Sequence, residues 1–141
     1  MSAVLGVLAA VIAKVKGDAS TSSAFQSFST REFPLCDAFP ALNVNATGVS
    51  DDFSHGMGVI ERAISIRAYV TVNSESEEQA ANDVTDLAEK VRAVLNKDRT
   101  LGGALWLPFL AVNVVSVPGP LGMNLIGARC LEFEGIIREA L

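Results

Sequence analysis

Apolar residues recur at helical spacing near the start of the chain, where Val4, Leu5, Leu8, Val11, Ile12 and Val15 predict a helix. Ser2 can cap its start, and Lys14, Lys16 and Gly17 supply a C-terminal charge bias and a stop. The small residues Ala3, Gly6, Ala9, Ala10 and Ala13 fill the rest of that surface, which suits close packing on a sheet or a neighbouring subunit. The Ser- and Thr-rich stretch Asp18 to Thr30 reads as a loop or weak strand anchored by Phe25 and Phe28. From Arg31 to Val44 the residues Phe33, Leu35 and Phe39 alternate, while Pro34 and Pro40 restrict pairing to an edge or irregular strand. Asn45 to Gly58, with Gly48, Asp51, Asp52, His55, Gly56 and Gly58, predicts a long mobile loop.

The clearest strand signal follows. Ile60, Ile64, Ile66, Ala68, Val70 and Val72 share one face of Val59 to Val72, and Glu61, Ser65, Arg67, Tyr69 and Thr71 the other, with Arg62 the single violation. Ser74 and Glu77 have capping-box spacing. Beyond them Ala80, Val84, Leu87, Ala88, Val91, Val94 and Leu95 form one stripe of a long amphipathic helix reaching Lys97, and Glu78, Asn82, Asp83, Asp86, Glu89 and Lys90 form its wet face. Gly102 and Gly103 end that segment, and at least one is expected at positive φ. Leu105 to Val117 then predicts a buried strand despite Pro108, and after the turn Pro118-Gly119-Pro120 a final strand, about Asn124 to Arg138, puts Leu131, Phe133 and Ile137 on one side. This order predicts a single α+β domain over residues 1–141: a mostly antiparallel sheet with two helices packed on one face.

Composition adds a constraint on the surface. Half of the 141 residues are hydrophobic and only 19% are charged, more apolar material than a lone small domain readily hides, so subunit contacts are expected. The net charge of −5 and the scattered basic residues argue against a dedicated nucleic-acid binder, which concentrates cations against phosphates. Arg62, Arg67, Arg99, Arg129 and Arg138 either solubilise the surface or form intersubunit ion pairs. Met1 to Val15 lacks the basic flank of a signal peptide and is too short to span a bilayer, and so reads as an intracellular docking helix.

Candidate chemistry is sparse. Cys36 and Cys130 lie far apart without metal-ligand spacing and read as buried reduced thiols, with a disulfide or a metal site the alternative. His55 is the one histidine, so any base-assisted nucleophile must run through it and its neighbours Asp51, Asp52 and Ser54, whose setting is that of a solvated loop. Gly56-Met57-Gly58 is too short for a phosphate cradle, and Glu75, Glu77 and Glu78 suit a helix N-terminus better than a cation site. Trp106 and Phe109 sit among leucines and read as core or subunit contact rather than a ligand wall. No catalytic residue, metal ligand or cofactor is assigned.

The order of these elements, with the helix ending in Val94-Leu95-Asn96-Lys97-Asp98-Arg99-Thr100-Leu101-Gly102-Gly103, resembles the tail terminator and tail completion proteins of long-tailed bacteriophages. The likeness covers most of the chain, and its specific part is Asp98 to Gly103. It implies a structural protein with no reaction to catalyse, assembled in the host cytoplasm and carried in the virion tail. Its partners would be itself in a ring, commonly a hexamer, the tail tube protein and a head completion or neck protein, with no membrane involved. On this reading Arg62, Arg67, Asp98, Arg99, Trp106 and Arg129 are candidate subunit contacts and Gly102 and Gly103 the structural turn. Asp51, Asp52 and His55 are loop residues, of which the two acids would line a lumen that DNA passes without specific binding. Alternatives are another neck or head–tail joining protein, or a small enzyme or ligand-binding domain centred on His55.

Overall fold

A computed structural model describes residues 3–30, 38–53, 58–116 and 126–140. The elements in order are α1 (Ala3–Gly17), β1 (Ser27–Ser29), β2 (Ala41–Asp52), β3 (Val59–Asn73), α2 (Glu77–Lys97), β4 (Asn113–Ser116) and β5 (Ile126–Ala140). The strands form one sheet in the order β1-β2-β3-β5-β4, antiparallel throughout except for the short β1–β2 pair, so the fold is α+β. The regular alternation of apolar residues makes β3 the central strand, paired along its whole length with β5 from Val59↔Ala140 to Asn73↔Ile126.

One face of this sheet carries the core. Leu42 and Val44 of β2, Ile64, Ile66, Ala68, Val70 and Val72 of β3, and Leu131, Phe133 and Ile137 of β5 join a single cluster with both helices. α1 contributes Val7, Leu8, Val11 and Val15 to it, and α2 contributes its predicted stripe. Leu5, assigned to the apolar stripe of the first helix, is nearly half exposed. α2 approaches β5 so closely at Gly127 that a β-carbon there would collide with the Ala80 carbonyl oxygen. The Ser- and Thr-rich segment after α1 turns back under the helix end, where the buried Thr21 hydroxyl donates to the Val15 carbonyl at 2.6 Å.

Four local expectations are corrected. Residues 45–52, read as the first part of a loop spanning 45–58, instead continue β2. The strand was hidden because Asn43 and Asn45 occupy buried positions, where the Asn45 amide donates to Asn43 at 3.0 Å and the Asn43 amide donates to Ser29, and because a bulge between Ala46 and Gly48 shifts the alternation. The cap of α2 is Ser76, whose hydroxyl accepts from the Gln79 N–H at 3.1 Å, while Ser74 donates to Asp83 instead. Val117 lies outside the described residues, and Leu105 to Ser116 is not one buried strand: among the described residues only 113–116 pair as β4, with an isolated bridge at Leu107↔Ile136. Leu105, Phe109 and Val112 enter the core while Trp106, Leu107 and Leu110 face outward, a spacing no pleated strand produces. Leu5 leaves the helical stripe because the sheet and α2 cover a narrower arc of α1 than its apolar residues span.

Gly127→Ala is expected to destabilise the protein by about 1–3 kcal/mol through overpacking against α2. Gly6→Ala, in open space on α1, is expected to stabilise it by about 0.5–1 kcal/mol. Urea unfolding of the two variants checks both signs, and a Gly127→Ala midpoint equal to that of the unsubstituted protein would contradict the packing described.

Candidate subunit interface

The end of α2 sets the geometry of the exposed apolar edge. Asp98 leaves the helix in extended conformation, and its carboxylate folds back over the following turn. One oxygen accepts from the Thr100 hydroxyl at 2.9 Å and the Thr100 N–H at 3.3 Å, and the other from the Gly102 N–H at 2.8 Å and the Lys14 ammonium of α1 at 2.7 Å. Lys14 above all, then Thr100 and Gly102, hold the Asp98 carboxyl well below the usual carboxylate range. Asp98 was a candidate subunit contact; its carboxylate is engaged within the chain, tying the two helix ends together. A parallel pair, Lys97 to Asp18 at 2.7 Å, ties them again.

Three successive residues of the turn have positive φ: Leu101 at 52°, Gly102 at 70° and Gly103 at 90°. Both glycines thus meet the expectation, and Leu101 was not foreseen. A left-handed leucine costs about 1 kcal/mol, whereas burying its side chain returns about 2 kcal/mol, and Leu101 is buried in the core.

The turn delivers residues 105–112 along the outer edge of β5. The Trp106 N–H donates to the Ile136 carbonyl at 2.7 Å, and the Phe109 N–H donates to the Arg99 carbonyl at 3.1 Å. The Arg99 guanidinium donates to the Leu110 carbonyl at 3.1 Å, and the Phe109 ring packs 4.8 Å from that of Phe133. Held at both ends, the segment projects Trp106 (54% exposed), Leu107 (45%) and Leu110 (89%) outward as a rim. The Arg138 guanidinium lies over Trp106, 4.5 Å from the ring centroid, and also donates to Glu61 at 3.2 Å.

The remaining candidates are spread over the sheet and its edges. Arg62 donates to Asp51 at 2.9 Å and to Glu139 at 3.5 Å, on the core-facing parity but beyond the reach of the helices, which explains its break in the alternation. Asp51, then Glu139, raise the Arg62 pKa. Arg67 pairs with Glu132 at 3.0 Å across the opposite face, in an open groove of about 480 Å³ beside the rim. Arg129 donates to the Ala128 carbonyl at 2.8 Å and to the Thr85 hydroxyl at 3.4 Å. Asp52 is exposed at the end of β2. His55 and Cys36 lie outside the described residues. Cys130 is buried, and burial pushes its thiol up to about 11, so it stays protonated near neutral pH. Among the described residues no group of His, Cys, Asp and Glu could hold a metal ion, and no helix is long and apolar enough to cross a membrane.

Sequence reasoning therefore named Arg99 and Trp106 as candidate subunit contacts and Arg138 among the arginines read as surface charges or intersubunit ion pairs, and it missed Leu107, Leu110 and Lys14. Pro108 was the available signal, because a proline in an apolar run is poorly suited to a central strand. No protein-family model and no curated protein matches the sequence.

A depressed folded-state pKa stabilises the protein above the carboxylate's unfolded value, and that stability is lost as pH falls through the folded value. Urea midpoints should therefore fall on acidification below about pH 4, and Asp98→Asn should lower stability at pH 7 and flatten part of that acid loss. An unchanged pH profile in the variant would contradict the role given to the carboxylate. Gly102→Val is expected to cost about 1 kcal/mol or more through its positive φ, read from the same unfolding curves.

Proposed function

We propose that this chain is a structural subunit of a bacteriophage tail, a terminator that closes into a ring on the end of the tail tube. The ring, a hexamer as the resemblance implies, stops tube polymerisation and offers a surface to the head completion or neck protein. The observation that carries this reading is the rim: three large apolar side chains held outward on a segment pinned by Phe109 and Arg99. An apolar edge fixed before contact loses little conformational entropy on association, which is what a subunit interface requires. The element order α1, β1–β3, α2, β4–β5 is the order on which the resemblance rests.

Charge supports passive passage of DNA. Lys14, Arg62, Arg67, Lys90, Arg92, Lys97 and Arg138 are each paired with a carboxylate, and the whole chain carries −5, so phosphates meet few unmatched cations. Assembly in the host cytoplasm and residence in the virion tail belong to the same proposal.

The test is to add the purified protein to polymerising tail tube protein and measure tube lengths by negative-stain microscopy. Shortened tubes ending in a ring are expected. Tubes that elongate unchanged while the protein stays unattached would overturn the terminator reading.

A further inference from the structure

The two outer edges of the long strands carry matching surfaces at the same height along the sheet. Cross-strand pairing runs Ser50↔Ala63↔Ile136↔Leu107, and two rows on, Asp52↔Glu61↔Arg138. At the β2 end of these rows stand exposed Val49 and Phe53 with the carboxylate of Asp52, beside Asp51, which is paired with Arg62 of its own chain. At the β5 end stand Trp106, Leu107 and Leu110 with the guanidinium groups of Arg138 and Arg99. Among the described residues Arg99 has no acidic partner, and β1 covers β2 only as far as Asn43. One edge is apolar with acid, the other apolar with base.

We propose that the partner on each edge is a second copy of this chain, the β2 edge of one molecule (Val49, Asp52, Phe53) seated on the β5 edge of the next (Trp106, Leu110, Arg138). The contact is head-to-tail, because the two surfaces differ and lie on opposite sides of β3. Their equal height means that a copy set beside the first needs no slip along the strands, so copies turned about an axis parallel to the strands return to the first copy instead of climbing past it. Trp106 and Leu107 already occupy the hydrogen-bonding edge of β5 at Ile136, so the contact is made by side chains rather than by extending the sheet. Arg138, between its own Glu61 and the neighbour's Asp52, completes a charge ladder across the joint. Asp52 thereby becomes a contact residue rather than a lumen residue. The inference rests on the proposed ring and supplies its joint.

The full-length protein and the exposed-site variants Phe53→Asp and Leu110→Asp are compared by size-exclusion chromatography with light scattering, without tube protein, with far-UV circular dichroism confirming the fold of each. The unsubstituted chain is expected to form a closed multimer, and each variant alone a monomer, with association weakened at least tenfold. An equimolar mixture of the two variants is expected to stop at a dimer, since each supplies one intact edge. A monomeric unsubstituted protein, variants that assemble normally, or a mixture that stays monomeric would each overturn the proposal. Variants that keep the ring but no longer cap tubes would also overturn it, showing that the edges meet the tube instead. Dimer formation as expected, with tubes uncapped by the unsubstituted protein, would leave this joint standing and sink the terminator reading.

Discussion

A single carboxylate governs how the chain leaves its longest helix. Asp98 accepts hydrogen bonds from Thr100 and Gly102 and pairs with Lys14, so it closes the turn and binds the end of α2 to the end of α1 at once. Without that anchor the last carbonyls of α2 and the N–H groups of the turn would compete for solvent, and residues 101–103 would have little reason to hold positive φ. The direction in which the chain leaves this turn decides where Leu101, Leu105 and Phe109 enter the core, and hence which side chains between them are turned out.

The outward ones make the surface that the proposed assembly depends on. Leu105 packs onto the sheet at Gly135, where a β-carbon would stand 2.6 Å from the leucine methyl, so the segment lies tight against β5 and Trp106 and Leu107 emerge beside it. Phe109 against Phe133 holds the far side. Apolar side chains in this state are costly to leave in water, at about 25 cal/mol per Å², and inexpensive to bury, because their backbone is already ordered. Two kinds of ion pair divide the remaining work. Lys14–Asp98 and Lys97–Asp18 hold the helix ends, whereas Arg62–Asp51 and Arg138–Glu61 organise the sheet beyond the helices, where the edges are open.

Elements whose burial follows a single period were legible in the sequence. The stripe of α2 appears in the structure residue for residue, and the two-residue alternation of β3 holds from Ile64 to Val70 before the buried Thr71 interrupts it. β2 was obscured by buried asparagines, Asn45 donating to Asn43 and Asn43 to Ser29, and by the bulge at Thr47, tertiary facts that no local propensity records. The stretch 105–112 was misread because an apolar run does not say which members face inward, and here anchors and exposed residues alternate irregularly. For the candidate interface, Trp106 was visible as an aromatic residue among leucines and Arg99 as a cation beside the glycine turn. Asp98 looked like a surface contact because Lys14, its partner, lies at the other end of the sequence, and Leu110 looked like core because nothing in its immediate neighbours marks it as exposed.

Trp106, the one tryptophan, lies at the proposed joint and reports on it directly. Its fluorescence emission, followed together with molar mass by light scattering across a dilution series, tests whether the rim is where subunits meet. The account predicts emission at the wavelength of a partly exposed indole when dilute and a shift to shorter wavelength that tracks the rise in mass. A rise in mass with the emission unmoved would place the contact elsewhere and contradict the account.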